Sequence, residues 1–104
     1  MNETRELTRI PENALRYLQD GDQVVRRFMH RGWKQPTDQE ATVTLVKEDL
    51  IICLVTTSST RLKQNTPMKF DRKTGEHSIK DYGELYWEDP DGSRLREVLA
   101  RTAQ

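Results

Sequence analysis

The run Leu50-Ile51-Ile52-Cys53-Leu54-Val55 constrains this chain more than any other stretch, because six consecutive apolar residues cannot sit in a surface strand with one wet face. Just before it, Ala41, Val43 and Leu45 alternate with Thr42 and Thr44, the period of two that marks a half-buried strand, and Lys47-Glu48-Asp49 supplies a short polar turn between the two. The pair reads as a β-hairpin whose second strand lies near the middle of a sheet. Apolarity on both faces of Leu50 to Val55 further predicts that both sides of the sheet are covered there, the second by a loop, another strand or a second copy of the chain.

Around this hairpin the periodicity predicts helices. Pro11 suits the first position of a helix, where its missing N–H is not needed, and Ala14, Leu15 and Leu18 then share one face before Gly21 ends the element. Asp22 can cap a second segment in which Val24, Val25, Phe28 and Met29 recur at helical spacing as far as Gly32. The same valines and aromatics suit a strand, which would turn the architecture toward a small curved sheet or partial barrel. Strict alternation would then place Arg26 and His30 on the face of Phe28, so the helical reading is preferred. After a loop at 35–39 and the hairpin, Pro67 opens a segment with Met68 and Phe70 on one face. Asp71 to Gly75 reads as a hairpin turn, a return strand passes through His77 and Ile79, and Tyr82 to Trp87 is either its continuation past a bulge at Gly83 or another strand. Asp89-Pro90-Asp91-Gly92 breaks the pattern, Ser93 can cap, and Leu95, Val98, Leu99 and Thr102 fall at i, i+3, i+4 and i+7 of a final amphipathic helix.

The expected fold is therefore α+β, a single domain over residues 1–104. It has N-terminal helices, an antiparallel meander sheet of about four strands, and a C-terminal amphipathic helix packed on one face. Charged residues make up 33% of the chain and hydrophobic ones 34%, a balance that suits a thin core under a solvated surface. No apolar run approaches the roughly 18 residues of a membrane span. The polar start Met1-Asn2-Glu3-Thr4-Arg5-Glu6 does not resemble a secretory signal, so a cytosolic, non-membrane protein is expected. The one cysteine, Cys53, lies in the most apolar run and reads as a small buried hydrophobe.

Candidate functional residues fall into three groups. Arg26, Arg27, His30, Arg31 and Lys34 would line one side of the second helix and could meet phosphates, with Trp33 free to stack on a base. A formal net charge of zero counts against nucleic acid, and a solvated helix face would carry the same arginines. The acidic and aromatic stretch Tyr82, Glu84, Tyr86, Trp87, Glu88 and Asp89 follows a basic one, Arg61 to Lys73. The two either pair across neighbouring strands or leave the aromatics as anchors for a protein partner. His77 with Glu84 or Asp81 is the sparse material for an enzyme or ligand site. The chain has no metal-ligand spacing, no C-x-x-C, and no glycine-rich phosphate loop. The hydroxyl run Thr56 to Thr60 ahead of Arg61 could contact an anion or simply end a strand. No catalytic residue, metal or cofactor is assigned. The preferred expectation is a non-catalytic binding or regulatory module acting through protein contacts, as a homodimer. A nucleic-acid-binding protein and a small enzyme around His77 and Glu84 are the alternatives.

Overall fold

A computed structural model describes residues 6–28, 32, 34, 36–56, 67–79 and 83–101. The elements run β1 (Thr8–Arg9), α1 (Glu12–Leu15), β2 (Gln23–Phe28), β3 (Thr37–Val46), β4 (Leu50–Val55), β5 (Pro67–Asp71), β6 (Glu84–Trp87) and α2 (Ser93–Ala100). The class is α+β as expected, but the sheet has six strands, in the order β1-β6-β2-β3-β4-β5. Strands β2 to β5 run as an antiparallel meander, of which β3, β4 and β5 were expected as strands and β2 was not, and β6 then returns to the free edge of β2 with Val25 opposite Tyr86 and Arg27 opposite Glu84.

The two ends of this sheet meet. Phe70 of β5 bridges to His77, and Glu76 bridges to Glu84 of β6. Backbone bonds Asp71 N to Glu76 O (2.8 Å), Ser78 N to Lys69 O (2.9 Å), His77 N to Gly83 O (2.8 Å) and Leu85 N to Gly75 O (2.9 Å) carry the closure. The sheet is thus joined edge to edge into a small barrel, which leaves β1 as a short flap beside β6.

Four sequence expectations change. The stretch 37–39, read as part of a loop, opens β3, because its residues pair with Arg26 to Phe28 of β2. The segment from Gln23 is a strand over Gln23–Phe28, not a helix. Alternation does put Arg26 on the face of Phe28, and the fold accepts this by stacking the two, with the Arg26 guanidinium 3.9 Å from the ring centroid. The first helix is one turn, Glu12–Leu15, with Pro11 at its N-cap. Ala14, Leu15 and Leu18 are nonetheless all buried, so the apolar spacing identified the packing surface while overstating the helix. Finally, the two faces of β4 differ among the described residues. Ile51, Cys53 and Val55 are fully buried, whereas Leu50, Ile52 and Leu54 are half-buried on the outer face.

The core fills the barrel and its covered end. Val24, Ala41, Val43, Ile51, Cys53, Val55, Met68, Phe70, Leu85 and Trp87 come from the strands, Ile10, Ala14, Leu15 and Leu18 from the N-terminal segment, and Val98 from α2. Burial of that apolar surface, at roughly 25 cal/mol per Å², is the main stabilising term. Gly75, at φ 77°, lets the turn after β5 pass close to Leu15. At Gly83, φ is 112°, and a Cβ there would stand 2.9 Å from both the Arg27 carbonyl and the Phe28 Cβ, so only glycine fits where the chain enters β6. As expected, α2 packs on the core with Val98 buried and Leu95 and Leu99 half-buried. Thr102 lies outside the described residues.

Candidate functional site

The basic segment does not form one positive face, because a strand sends neighbouring side chains in opposite directions. Arg26 points inward and is 4% exposed, with its Nη1 donating to Gln39 Oε1 at 2.7 Å and lying 3.5 Å from Met68 Sδ. Arg27 points outward into a two-pronged pair with Asp38, Nε to Oδ1 at 2.8 Å and Nη2 to Oδ2 at 3.0 Å, and lies 5.3 Å from the Tyr86 ring centroid. The hydrogen bonds to Asp38 hold the Arg27 guanidinium above its ordinary pKa. Lys34 is exposed, while His30, Arg31 and Trp33 lie outside the described residues. The fold thus turns one described arginine of the group into a core residue and the other into half of an ion pair.

The acidic and aromatic stretch is divided by the same alternation. Trp87, 1% exposed, is a core side chain rather than an outward anchor. Tyr86 faces out beneath Arg27, and Glu84 Oε2 pairs with Arg9 Nη2 at 2.5 Å. Asp89, 7% exposed, accepts the N–H groups of Arg94 and Leu95 at 2.9 Å each, so the first turn of α2 is capped from three residues before its N-cap, Gly92. The expected cap, Ser93, is the first helical residue, and the N-cap makes no side-chain bond. Glu88 is exposed, and Tyr82 and Asp81 lie outside the described residues.

His77 is committed to structure. Its Nδ1 accepts the N–H of Ile79 at 3.0 Å and its ring meets the Phe70 ring at 5.2 Å, edge to face. Burial, and then the charge of Arg26, lowers its pKa and favours the neutral ring that this bond requires. Cys53 is fully buried, which pushes its thiol to about 12 and leaves it protonated and unreactive at neutral pH. Among the described residues no group of three or more His, Cys, Asp or Glu side chains gathers to hold a metal ion. No helix among them is long and apolar enough to cross a membrane. Of the basic residues after β4, Arg72 serves the turns: its Nη1 donates to the carbonyls of Lys47 (2.9 Å) and Glu48 (3.4 Å) and its Nη2 to that of Arg16, while Asp71 Oδ1 accepts the amides of Lys73 and Thr74; Arg61 and Lys63 lie outside the described residues. Thr56 is exposed, and 57–66 lie outside the described residues.

Two features were not named from the sequence. The outer face of β3 and β4 carries an aliphatic stripe: Leu45, 45% exposed, sits opposite Ile52, with the half-buried Leu50 and Leu54 on either side along β4. Lys69 of β5 lies opposite Ile52 on one flank, and Glu40 of β3 is exposed on the other. A register shift between Val43 and Leu45 turns Leu45 to the outside, which the Ala41, Val43, Leu45 alternation could not reveal. The second feature is an open groove of about 460 Å³ lined by Glu12, Arg16, Tyr17, Glu48, Arg72 and Lys73, where α1, the β3–β4 turn and the β5 turn converge. Compared with known proteins, the chain matches no family model, no curated sequence and no solved structure.

Proposed function

We propose that the chain is a non-catalytic, cytosolic binding module that acts through protein contacts, and that it pairs with a second copy of itself across the outer face of β3 and β4. The observation that carries this reading is the stripe Leu45, Leu50, Ile52 and Leu54, a row of aliphatic side chains on one sheet face in which Leu45 is exposed and the other three are half-buried. With 17 basic and 17 acidic residues, two copies meet without net repulsion.

The test is sedimentation of the full chain against Leu45→Asp, a substitution at an exposed position that the fold tolerates. A concentration-dependent dimer with a dissociation constant on the order of micromolar to 100 micromolar is expected for the parent, reverting to monomer in the variant, with unchanged circular dichroism. A parent chain that stays monomeric across that range, or a dimer indifferent to Leu45→Asp, overturns the reading.

A further inference from the structure

The C-terminal helix is fastened to the barrel by means unlike those used inside it. Val98 is its one buried residue, Leu95 and Leu99 pack half-buried beside it, and the rest of its hold is polar and directional. Arg101 Nη1 and Nη2 donate to Asp22 Oδ2 and Oδ1 at 2.8 and 3.0 Å, and Nη1 also donates to the Tyr17 carbonyl at 2.8 Å. Arg94 donates to the Gln23 carbonyl and stacks 4.9 Å from the Trp87 ring centroid, while Asp89 takes the amides of the first turn. Every receiving group lies on the preceding chain: Asp22, two carbonyls, an indole face and a carboxylate. Trp87 Nε1 is buried without an acceptor among the described residues, so the wall of this seat is itself incompletely satisfied. Together these groups specify an amphipathic helix with arginines at i and i+7 around apolar residues at i+1, i+4 and i+5, the pattern of Arg94, Leu95, Val98, Leu99 and Arg101.

We propose that this seat is an exchangeable helix site: α2 leaves it as a unit while the barrel stays closed, and the α2 of a second copy takes its place. The occupant follows from complementarity, since another copy presents the same two arginines and apolar residues to the same carboxylate and carbonyls. Asp89 stays with the barrel as the cap of whichever helix is seated, and Pro90 to Gly92 form the hinge, with Gly92 at φ 76° able to unwind without side-chain strain. Local opening of this kind belongs to elements with few buried apolar contacts. The seat is separate from the Leu45 stripe, so Leu45→Asp leaves it intact and the two proposals fail independently.

Hydrogen exchange on the full chain and on full-chain Arg101→Ala tests the first half. The α2 amides are expected to exchange at least about tenfold faster than those of Val43 and Cys53, and Arg101→Ala to quicken α2 by about another tenfold while the barrel amides hold. A dye-labelled synthetic peptide matching residues 90–101 tests the second half. It is expected to bind saturably, more tightly to Arg101→Ala than to the parent because the seat is vacant more often, and several-fold more weakly when the peptide itself carries R101A. One common exchange rate for α2 and barrel, loss of barrel protection in Arg101→Ala, or a peptide that saturates neither protein overturns the proposal.

Discussion

The barrel and the C-terminal helix meet the same core from opposite chemical positions. In the barrel, strand alternation drives whole rows of side chains inward and the ladder satisfies their backbone, so Ile51, Cys53, Val55 and Phe70 reach zero exposure with little help from charge. In α2 a single valine is buried beside the half-buried Leu95 and Leu99, and two arginines and two aspartates add directional bonds to that packing. Apolar burial carries no charge to screen or protonate, whereas partly exposed ion pairs weaken with both salt and acid. The comparison teaches that one small chain can carry a fixed part and a releasable part, separated by the kind of contact rather than by a linker.

Phe70→Ala should show the largest effect. Removing a fully buried ring that also packs on His77 is expected to cost about 3–5 kcal/mol in denaturant unfolding, with barrel and α2 lost in one transition. An unfolding curve in which the barrel melts before α2 would break the comparison. Asp89→Ala should be smaller, about 1 kcal/mol, because it strips the acceptor from two amides of the first helical turn, and its effect should be confined to hydrogen exchange in α2. The mildest perturbation is acid. Burial raises the Asp22 carboxyl, but the Arg101 hydrogen bonds, the Gln19 amide and the nearby Arg101 and Arg94 charges outweigh it, so its folded pKa lies below the ordinary 3.8. A group depressed in this way contributes stability that is complete above its unfolded value and drains away as pH falls through its folded value. Methyl NMR of Val98 should therefore report α2 loosening below about pH 4 while Val43 and Val55 hold their native shifts. Simultaneous loss of all three would erase the distinction between the two parts.

What could be read beforehand followed the range of each signal. The hairpin bounds at Lys47 to Asp49, the strand Leu50 to Val55 and the inward face of Met68 and Phe70 were legible, because period two and turn chemistry are local. The helix over Gln23 to Lys34 was misread because Val24, Val25 and Phe28 satisfy both periods. What settles it is a buried arginine whose amide partner, Gln39, comes from the next strand. Two members of the acidic and aromatic stretch take structural roles that the sequence did not show: Trp87 is core and Asp89 is a cap, assigned by the strand and helix on either side of them. Glu76 and His77, which join β5 to β6, carry no clear periodicity, so the closure was legible only through the alternative strand reading from Gln23, which pointed to a partial barrel.

That junction has a consequence for how the chain comes into being. The β2 edge waits for β6, and β5 waits for Glu76, so the pairing that completes the ring joins segments near opposite ends of the molecule. Topologies dominated by such distant pairings fold slowly, in milliseconds to seconds, because loop closure precedes its reward. On the ribosome the early hairpins exist as an open ribbon with a bare edge until Trp87 has emerged. The interval before that moment is when a neighbouring nascent chain can add its own strand to the exposed one.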